Sequence, residues 1–189
     1  MRAVHRSARF RGMHRLFVAI RPPESVRARL LAAMGGVGGA RWQSEDQLHL
    51  TLRFIGEVDR HQAEDVHAAL GGVHHPGFEI ALAGVGSFER KGAPAALWAA
   101  VAPQEPLRRL HKKVDQAIAR IGIAPDRRAF APHITLARLP RGAGTVASFL
   151  QDAGRLASPL FRVEDFCLYE SRLTPEGAVY SIVERYSLG

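Results

Sequence analysis

At 189 residues, with 47% hydrophobic and 23% charged side chains, the chain has the size and apolar content of one folded domain, which excludes a large multidomain assembly and a disordered tail. Cys167 is the single cysteine, so an intramolecular disulfide framework and a cysteine-rich metal cluster are excluded and a reducing compartment fits. The net charge of +8 invites a polyanionic partner, but Arg2, Arg6, Arg9 and Arg11 supply half of it from a twelve-residue segment that holds no acid.

Leu16-Phe17-Val18-Ala19-Ile20 is a continuous apolar run closed by Arg21-Pro22-Pro23, and reads as a strand buried on both faces. Pro23-Glu24 opens a helix whose apolar positions Val26, Leu30, Leu31 and Met34 keep helical spacing until Gly35-Gly36 ends it. Leu48, Leu50, Leu52 and Phe54 then alternate with Gln47, His49, Thr51 and Arg53, the period of a strand with one buried and one open face, which Gly56 terminates. A helix is expected from Asp59 to Leu70, followed by a break at His74-His75-Pro76-Gly77. Phe78 to Val85 and Ala95 to Val101 read as two strands joined by Glu89-Arg90-Lys91-Gly92. Leu107, Leu110, Val114, Ile118 and Ile121 mark one face of a helix that Gly122 stops.

His133 to Leu139 gives another strand, and Thr145 is positioned to cap a short helix. Two final strands, from Leu160 to Tyr169 and from Ala178 to Leu188, meet through the turn chemistry of Thr174-Pro175-Glu176-Gly177. Strand-helix-strand units in both halves, with hairpins between them, predict an α+β fold of largely antiparallel sheets. Residues 1–12 precede the first strand and are expected to be a disordered extension or an upstream mis-start, leaving 13–189 as one domain of two lobes. No apolar run approaches the roughly 18 residues of a membrane span, so no membrane association and a cytoplasmic location are expected.

The informative pattern is a repeat. His49-Leu50-Thr51-Leu52 and His133-Ile134-Thr135-Leu136 carry one motif 84 residues apart, each inside a strand. Successive strand side chains alternate in direction, so the His and Thr of each motif share an open face while the apolar residues turn to the core. Two such strands facing one another make a cleft with two imidazoles and two hydroxyls.

That set suits phosphoester cleavage without a metal. One neutral imidazole takes a proton from an attacking water, and the other, protonated, gives one to the leaving oxygen. The hydroxyls of Thr51 and Thr135 donate to the non-bridging phosphate oxygens. A single His-x-Thr in a strand is mostly chance among nine histidines, whereas two copies with matched apolar parity are not easily dismissed. A metal centre is the weaker reading, because two histidines without a third ligand at suitable spacing fall short of the usual three protein ligands of catalytic zinc. No cofactor is expected.

At these residues the sequence resembles the 2H phosphoesterase superfamily, and within it the RNA 2',3'-cyclic phosphodiesterases historically called 2'-5' RNA ligases. The resemblance extends over Met13 to Leu188. It includes Arg15-Leu16-Phe17-Val18-Ala19-Ile20, Arg41-Trp42, Phe54-Ile55-Gly56-Glu57, Leu97-Trp98, Phe130-Ala131-Pro132, Ala137-Arg138, Ser171-Arg172-Leu173, Gly177 and Tyr180. It implies a bilobal fold with a pseudo-twofold axis, an active site between the lobes, and metal-free hydrolysis of an RNA-terminal or nucleoside 2',3'-cyclic phosphate to a 2'-phosphate. By the same resemblance His49 is the proton donor to the departing 3' oxygen and His133 the proton acceptor that activates water. The partners implied are RNA 3' ends or nucleoside 2',3'-cyclic phosphates, acted on by a monomer that needs no protein partner. Two alternatives remain: reversible 2'-5' ligation of tRNA halves, and a non-catalytic module that binds RNA ends.

Among other residues, Arg138 is attractive as a phosphate anchor, but simple alternation gives it the face of Ile134 and Leu136, so only a bulge or strand end brings it into the cleft. Arg53 has the parity of His49 and Thr51 and is the second substrate-binding candidate. Phe17, Trp42, Phe130 and Tyr180 are candidates to stack on a base, with core packing the commoner role. His61, His67, His74, His75 and His111 read as solvated or structural, and Cys167 as a small buried hydrophobe. Gly35-Gly36-Val37-Gly38-Gly39 lacks the Lys-Ser/Thr of a phosphate loop and reads as a flexible connection.

Overall fold

The computed structural model describes residues 12–126, 128–175 and 177–189, so the expected N-terminal extension falls almost wholly outside the described residues. In chain order the elements are β1 (His14–Ile20), α1 (Glu24–Ala33), β2 (Arg41–Trp42), β3 (Leu50–Val58), α2 (Arg60–Gly71), β4 (Phe78–Arg90) and β5 (Ala93–Ala102). They continue with α3 (Glu105–Arg120), β6 (His133–Arg138), α4 (Ala147–Asp152), β7 (Phe161–Val163), β8 (Asp165–Thr174) and β9 (Gly177–Ser187). A short 3₁₀ turn, Glu45–Gln47, leads into β3. Among these residues no helix is long and apolar enough to cross a membrane.

The strands form one open antiparallel sheet in the order β7-β4-β5-β6-β3-β1-β8-β9, with β2 added to the edge of β6. This is the α+β, two-lobed architecture. One lobe is β7-β4-β5-β6 and the other β3-β1-β8-β9, and the ladder between them is the single pair Leu50↔Ile134. The halves are built alike, since β1-α1-β3 and β5-α3-β6 each place a motif strand antiparallel to the strand that precedes its helix. One continuous core, from Leu16 through Leu50, Leu97, Leu110 and Ile134 to Phe166, underlies both lobes. A small second cluster of Phe17, Ala19, Cys167 and Tyr169 lies apart from it, with Cys167 buried as expected.

Helix limits follow their caps. Asp59 accepts a hydrogen bond from the Gln62 backbone N–H at 2.9 Å while the Gln62 side chain accepts from Asp59 N–H at 3.3 Å, which starts α2. Helix α3 buries Leu107, Leu110, Val114 and Ile118 along one stripe and packs on β3, so a helix of the second half supports the motif strand of the first.

Three expectations need correction. Strand β3 does not stop at Gly56, whose φ of +95° lets the chain continue to Val58. Leu160 to Tyr169 is not one strand: it divides at Glu164 into β7, which pairs with β4, and β8, which pairs with β1. Phe54 is not a core residue. Register shifts on β3 leave Leu52 and Ile55 without partners in β1, and the first of these turns Phe54 outward, 36% exposed.

The shared core predicts one cooperative unit. Leu50→Ala should lower stability by about 2–5 kcal/mol and shift the urea midpoint with an unchanged slope. Two resolved transitions in that experiment would mean instead that the lobes fold as separate domains.

Candidate active site

The pair Leu50↔Ile134 fixes how the two motifs face each other. Both side chains are buried, at 1% and 0% exposure, beneath the sheet. Continuing the antiparallel register one residue either way sets His49 across from Thr135 and Thr51 across from His133, and alternation turns all four to the opposite face. A local twofold axis therefore passes between Leu50 and Ile134, with an imidazole and a hydroxyl on each side of it. The four side chains are half-buried, as groups lining a cleft must be.

Each imidazole is held by the same device. His49 Nδ1 lies 2.7 Å from the Gln47 carbonyl and His133 Nδ1 lies 2.7 Å from the Ala131 carbonyl, in both cases two residues upstream. A carbonyl oxygen only accepts, so Nδ1 carries the proton in each ring and Nε2 is left as the titrating edge. The sequence offered no signal for this, because any residue at 47 or 131 supplies a carbonyl.

The rings sit in aromatic surroundings. His49 has Phe17 at 4.8 Å, Tyr180 edge-on at 5.2 Å and Tyr169 at 5.9 Å between centroids. His133 has Phe88 edge-on at 4.8 Å and Trp98 at 6.3 Å. Burial among these groups disfavours the imidazolium. It lowers His49 to about 4, with the neighbouring His133 and Arg138 pushing the same way and the Gln47 carbonyl opposing. His133 is also lowered, by burial first and by Arg138, against the support of the Ala131 carbonyl.

Both motif strands carry a bulge at the same place. On β3, Thr51 and Arg53 pair with consecutive residues of β1 and Leu52 is extra; on β6, Thr135 and Ala137 pair with consecutive residues of β5 and Leu136 is extra. The Gln43 N–H donates to the Leu136 carbonyl at 2.8 Å, which pins the second bulge. A bulge flips the alternation beyond it. Ala137 is therefore buried and Arg138 exposed on the cleft face, the case in which a bulge brings that arginine beside the motif. Its charge depresses both histidines, which is independent of the register argument.

The same flip sends Arg53 the other way, against the expectation that it shares the face of His49 and Thr51. It is 5% exposed on the core side, with Nε 2.8 Å from Asp115 Oδ1 of α3 and Nη1 3.9 Å from Asp126 Oδ2. Nη1 also donates to the Phe54 carbonyl at 3.1 Å and Nη2 to the Ala124 carbonyl. Arg53 thus ties β3 to α3 and to the loop before the second motif, and it is not placed to touch a substrate.

Of the four aromatic candidates, Phe17 and Tyr180 stand against His49, whereas Trp42 packs on Phe149 at 5.5 Å and Phe130 stacks on His111 at 4.1 Å. Phe88, Trp98 and Tyr169 were missed as site residues; only their neighbourhood in the fold reveals them. Gly86 is what admits the Trp98 indole, since a Cβ there would lie 2.3 Å from Trp98 Cζ2. Gly86→Ala should cost about 1–3 kcal/mol by overpacking and alter the near-ultraviolet dichroism of the indole, measured against wild type.

Comparison with known proteins bears on the family and the fold. Residues 22–174 match the family model of the 2'-5' RNA ligase superfamily. The RNA 2',3'-cyclic phosphodiesterase of Archaeoglobus fulgidus is 32% identical over 169 residues, covering 88% of this chain and 96% of that protein. The enzyme of the same name from Thermus thermophilus is 36% identical over 186 residues, covering 92% and 90%. Among solved structures, Thermus thermophilus TT0787 superposes with a TM-score of 0.75 at 31% identity over 92% of this chain and 97% of its own. Escherichia coli LigT complexed with 3'-AMP gives 0.74 at 26% identity over 93% and 98%. The paired motifs, the two-lobed sheet and these matches together make the chain a member of the 2'-5' RNA ligase superfamily.

Proposed function

We propose that the chain hydrolyses the 2',3'-cyclic phosphate at an RNA 3' end, or on a nucleoside, to a 2'-phosphate, using two histidines and no metal. Cyclic phosphodiesterase activity itself goes with the family, whose members at 32% and 36% identity bear that name. The observation that carries the finer reading is the matched pair of imidazoles, each with Nδ1–H held by a backbone carbonyl and Nε2 left to exchange a proton.

In the forward reaction the oxygen of a water attacks phosphorus and the bond from phosphorus to O3' breaks. His133 Nε2 takes the proton of the water and His49 Nε2 gives one to O3'. The charge on the non-bridging oxygens is met by Thr51 and Thr135 hydroxyls and by Arg138. Attacker and leaving oxygen lie on opposite sides of one phosphorus, as the two motifs lie on opposite sides of the local axis. The assignment of donor to His49 and acceptor to His133 rests on family resemblance.

A second reading has support in the description of the family model itself. If a 5'-hydroxyl replaces water at the acceptor histidine, the same step yields a 2'-5' bond. Offering tRNA halves and looking for joined product separates ligation from hydrolysis.

His49→Ala and His133→Ala should each lower turnover of a short RNA ending in a 2',3'-cyclic phosphate by about 10²–10⁴-fold, with wild-type activity retained in EDTA. A variant lacking either imidazole but keeping full turnover sinks the mechanism, and loss of wild-type activity in EDTA sinks its metal independence.

The pH dependence has a definite sign. For kcat/KM one imidazole must be neutral and the other protonated, and both hold protons less firmly than free histidine, near 6.5. The bell should therefore peak below pH 6.5, its limbs belonging to the coupled pair. Removing the nearby positive charge in Arg138→Gln should raise both histidines and move the bell to higher pH, besides weakening phosphate binding. A profile that stays fixed in that variant contradicts the role given to Arg138.

A further inference from the structure

The carbonyl that holds His49 belongs to a residue with a long polar side chain, and the carbonyl that holds His133 does not. Gln47 and Ala131 each accept from an imidazole Nδ1–H at 2.7 Å, but beyond Cβ only Gln47 has atoms that can be tied down. Its amide is tied at both ends. Oε1 accepts from the Ser44 N–H at 3.0 Å, closing the single 3₁₀ turn Glu45–Gln47 that leads into β3. Nε2 donates to the Ala178 carbonyl at 2.7 Å, far away in sequence. The two partners fix which way the amide points, because a backbone N–H only donates and a carbonyl only accepts.

Ala178 lies on β9, which is the last strand of the sheet and pairs with β8 alone among the described residues. Two residues further along β9 is Tyr180, whose ring stands edge-on to His49 at 5.2 Å and to Phe17 at 5.1 Å. The Gln47 side chain therefore joins the turn that orients the imidazole to the hairpin that walls it. The turn has little else to hold it. Ser44, Glu45 and Asp46 are exposed, and its main-chain bonds run only from Gln47 N–H to the Ser44 carbonyl at 3.0 Å and from Leu48 N–H to the Glu45 carbonyl at 3.2 Å. The second motif has another arrangement, since Ala131 is followed by Pro132, whose ring stiffens the backbone there.

We infer that Gln47 is a positioning residue for the reaction: its side chain fixes the carbonyl that selects the Nδ1–H form of His49 and holds the Tyr180 hairpin against that ring. The inference rests on the reading of His49 as one of two proton-transferring groups, and it adds a residue that does not itself touch the substrate. A free imidazole passes readily between its two N–H forms, and Nε2 is aimed at the reacting oxygen only while Nδ1–H stays on its carbonyl. Loosening the turn lets the ring rotate or exchange its proton between the nitrogens, and a misplacement of about 1 Å at such a group costs about 10²-fold in rate.

The test compares the full chain with Gln47→Met, which keeps the shape and loses both side-chain hydrogen bonds, and with Gln47→Glu. The second variant keeps an acceptor for the Ser44 N–H and, ionised, lacks the donor to Ala178, so it retains the cap of the turn if the first fails to fold. One readout is steady-state turnover of cytidine 2',3'-cyclic phosphate. The other is the imidazole nitrogen NMR shifts at about pH 8, where both rings are neutral, assigned by their disappearance in His49→Ala and His133→Ala. In both variants kcat should fall about 10–100-fold with KM within about twofold, and His49 should change from the Nδ1–H form to a mixture of the two. His133 should keep its wild-type shifts, which marks a retained fold. In an active enzyme, wild-type kcat or a wild-type His49 form in a folded variant overturns the role of Gln47, while turnover that His49→Ala abolishes leaves the reading of the site standing. Should wild type turn over no cyclic phosphate, the reaction assigned to the cleft fails, and the His49 shifts decide alone: a mixture in the variants upholds the positioning and the wild-type form overturns it.

Discussion

The site depends on one ladder pair. Among the described residues, Leu50 and Ile134 are the only pair through which β3 and β6 join the two half-sheets. Because both side chains enter the common core, the residues flanking them must point the other way. The pairing stops after this one pair, so β3 and β6 share no further ladder on either side of it. A slip of one residue would bury the imidazoles and expose the apolar pair, so the register that holds the core also holds the chemistry. Helix α3 reinforces it from below, through packing on β3 and through the Asp115 contact with Arg53.

Around that pair the protein lowers the local polarity. Phe17 and Tyr169, stacked at 4.9 Å, with Tyr180 edge-on at 5.1 Å, wall one histidine, and Phe88 and Trp98 wall the other. Aromatic walls weaken the imidazolium and strengthen electrostatic contacts made between them. A bound phosphate reverses the balance, since its negative charge offsets Arg138 and favours protonation of a neighbouring imidazole. In the proposed reaction the substrate would thus help create the protonation state that its own cleavage requires.

The positions of the motifs were readable because alternation and the paired His-x-Thr pattern are local properties. Leu48, Leu50, Leu52, Ile134 and Leu136 are buried as the period of two requires. What alternation could not give is the behaviour past the bulges. Arg53 and Arg138 exchanged their expected places because Leu52 and Leu136 are extra residues, and whether a strand absorbs an extra residue depends on what its neighbours pair with. The same limit hid β2, whose two residues form a strand only because β6 presents an edge at Ala137 and Arg138. Phe88 escaped notice for another reason. It is distant in sequence from His133 and meets it only because β4 crosses to β5, and β5 to β6.

The near-symmetry of the site poses a problem that its side chains resolve. The proposed hydrolysis is directional, with one histidine facing a departing sugar oxygen and the other a water, yet the backbone treats the two alike down to the bulge after each motif. Five residues beyond each histidine the bulged strand turns a side chain back to the open face. After His49 that residue is Phe54, with the Arg15 guanidinium 5.2 Å above its ring; after His133 it is Arg138. The first is apolar and the second is itself a cation whose charge reaches both histidines, so the two ends of the site differ electrostatically. His49, lowered to about 4, lies deeper among Phe17, Tyr169 and Tyr180 and is less reached by water. In the proposed reaction that suits it to meet the leaving oxygen of a held nucleotide, while His133, beside Phe88 and the exposed Arg138, meets the incoming water. The asymmetry lies in the side chains placed on a symmetric backbone, and its most direct measure is the residue five positions after each histidine.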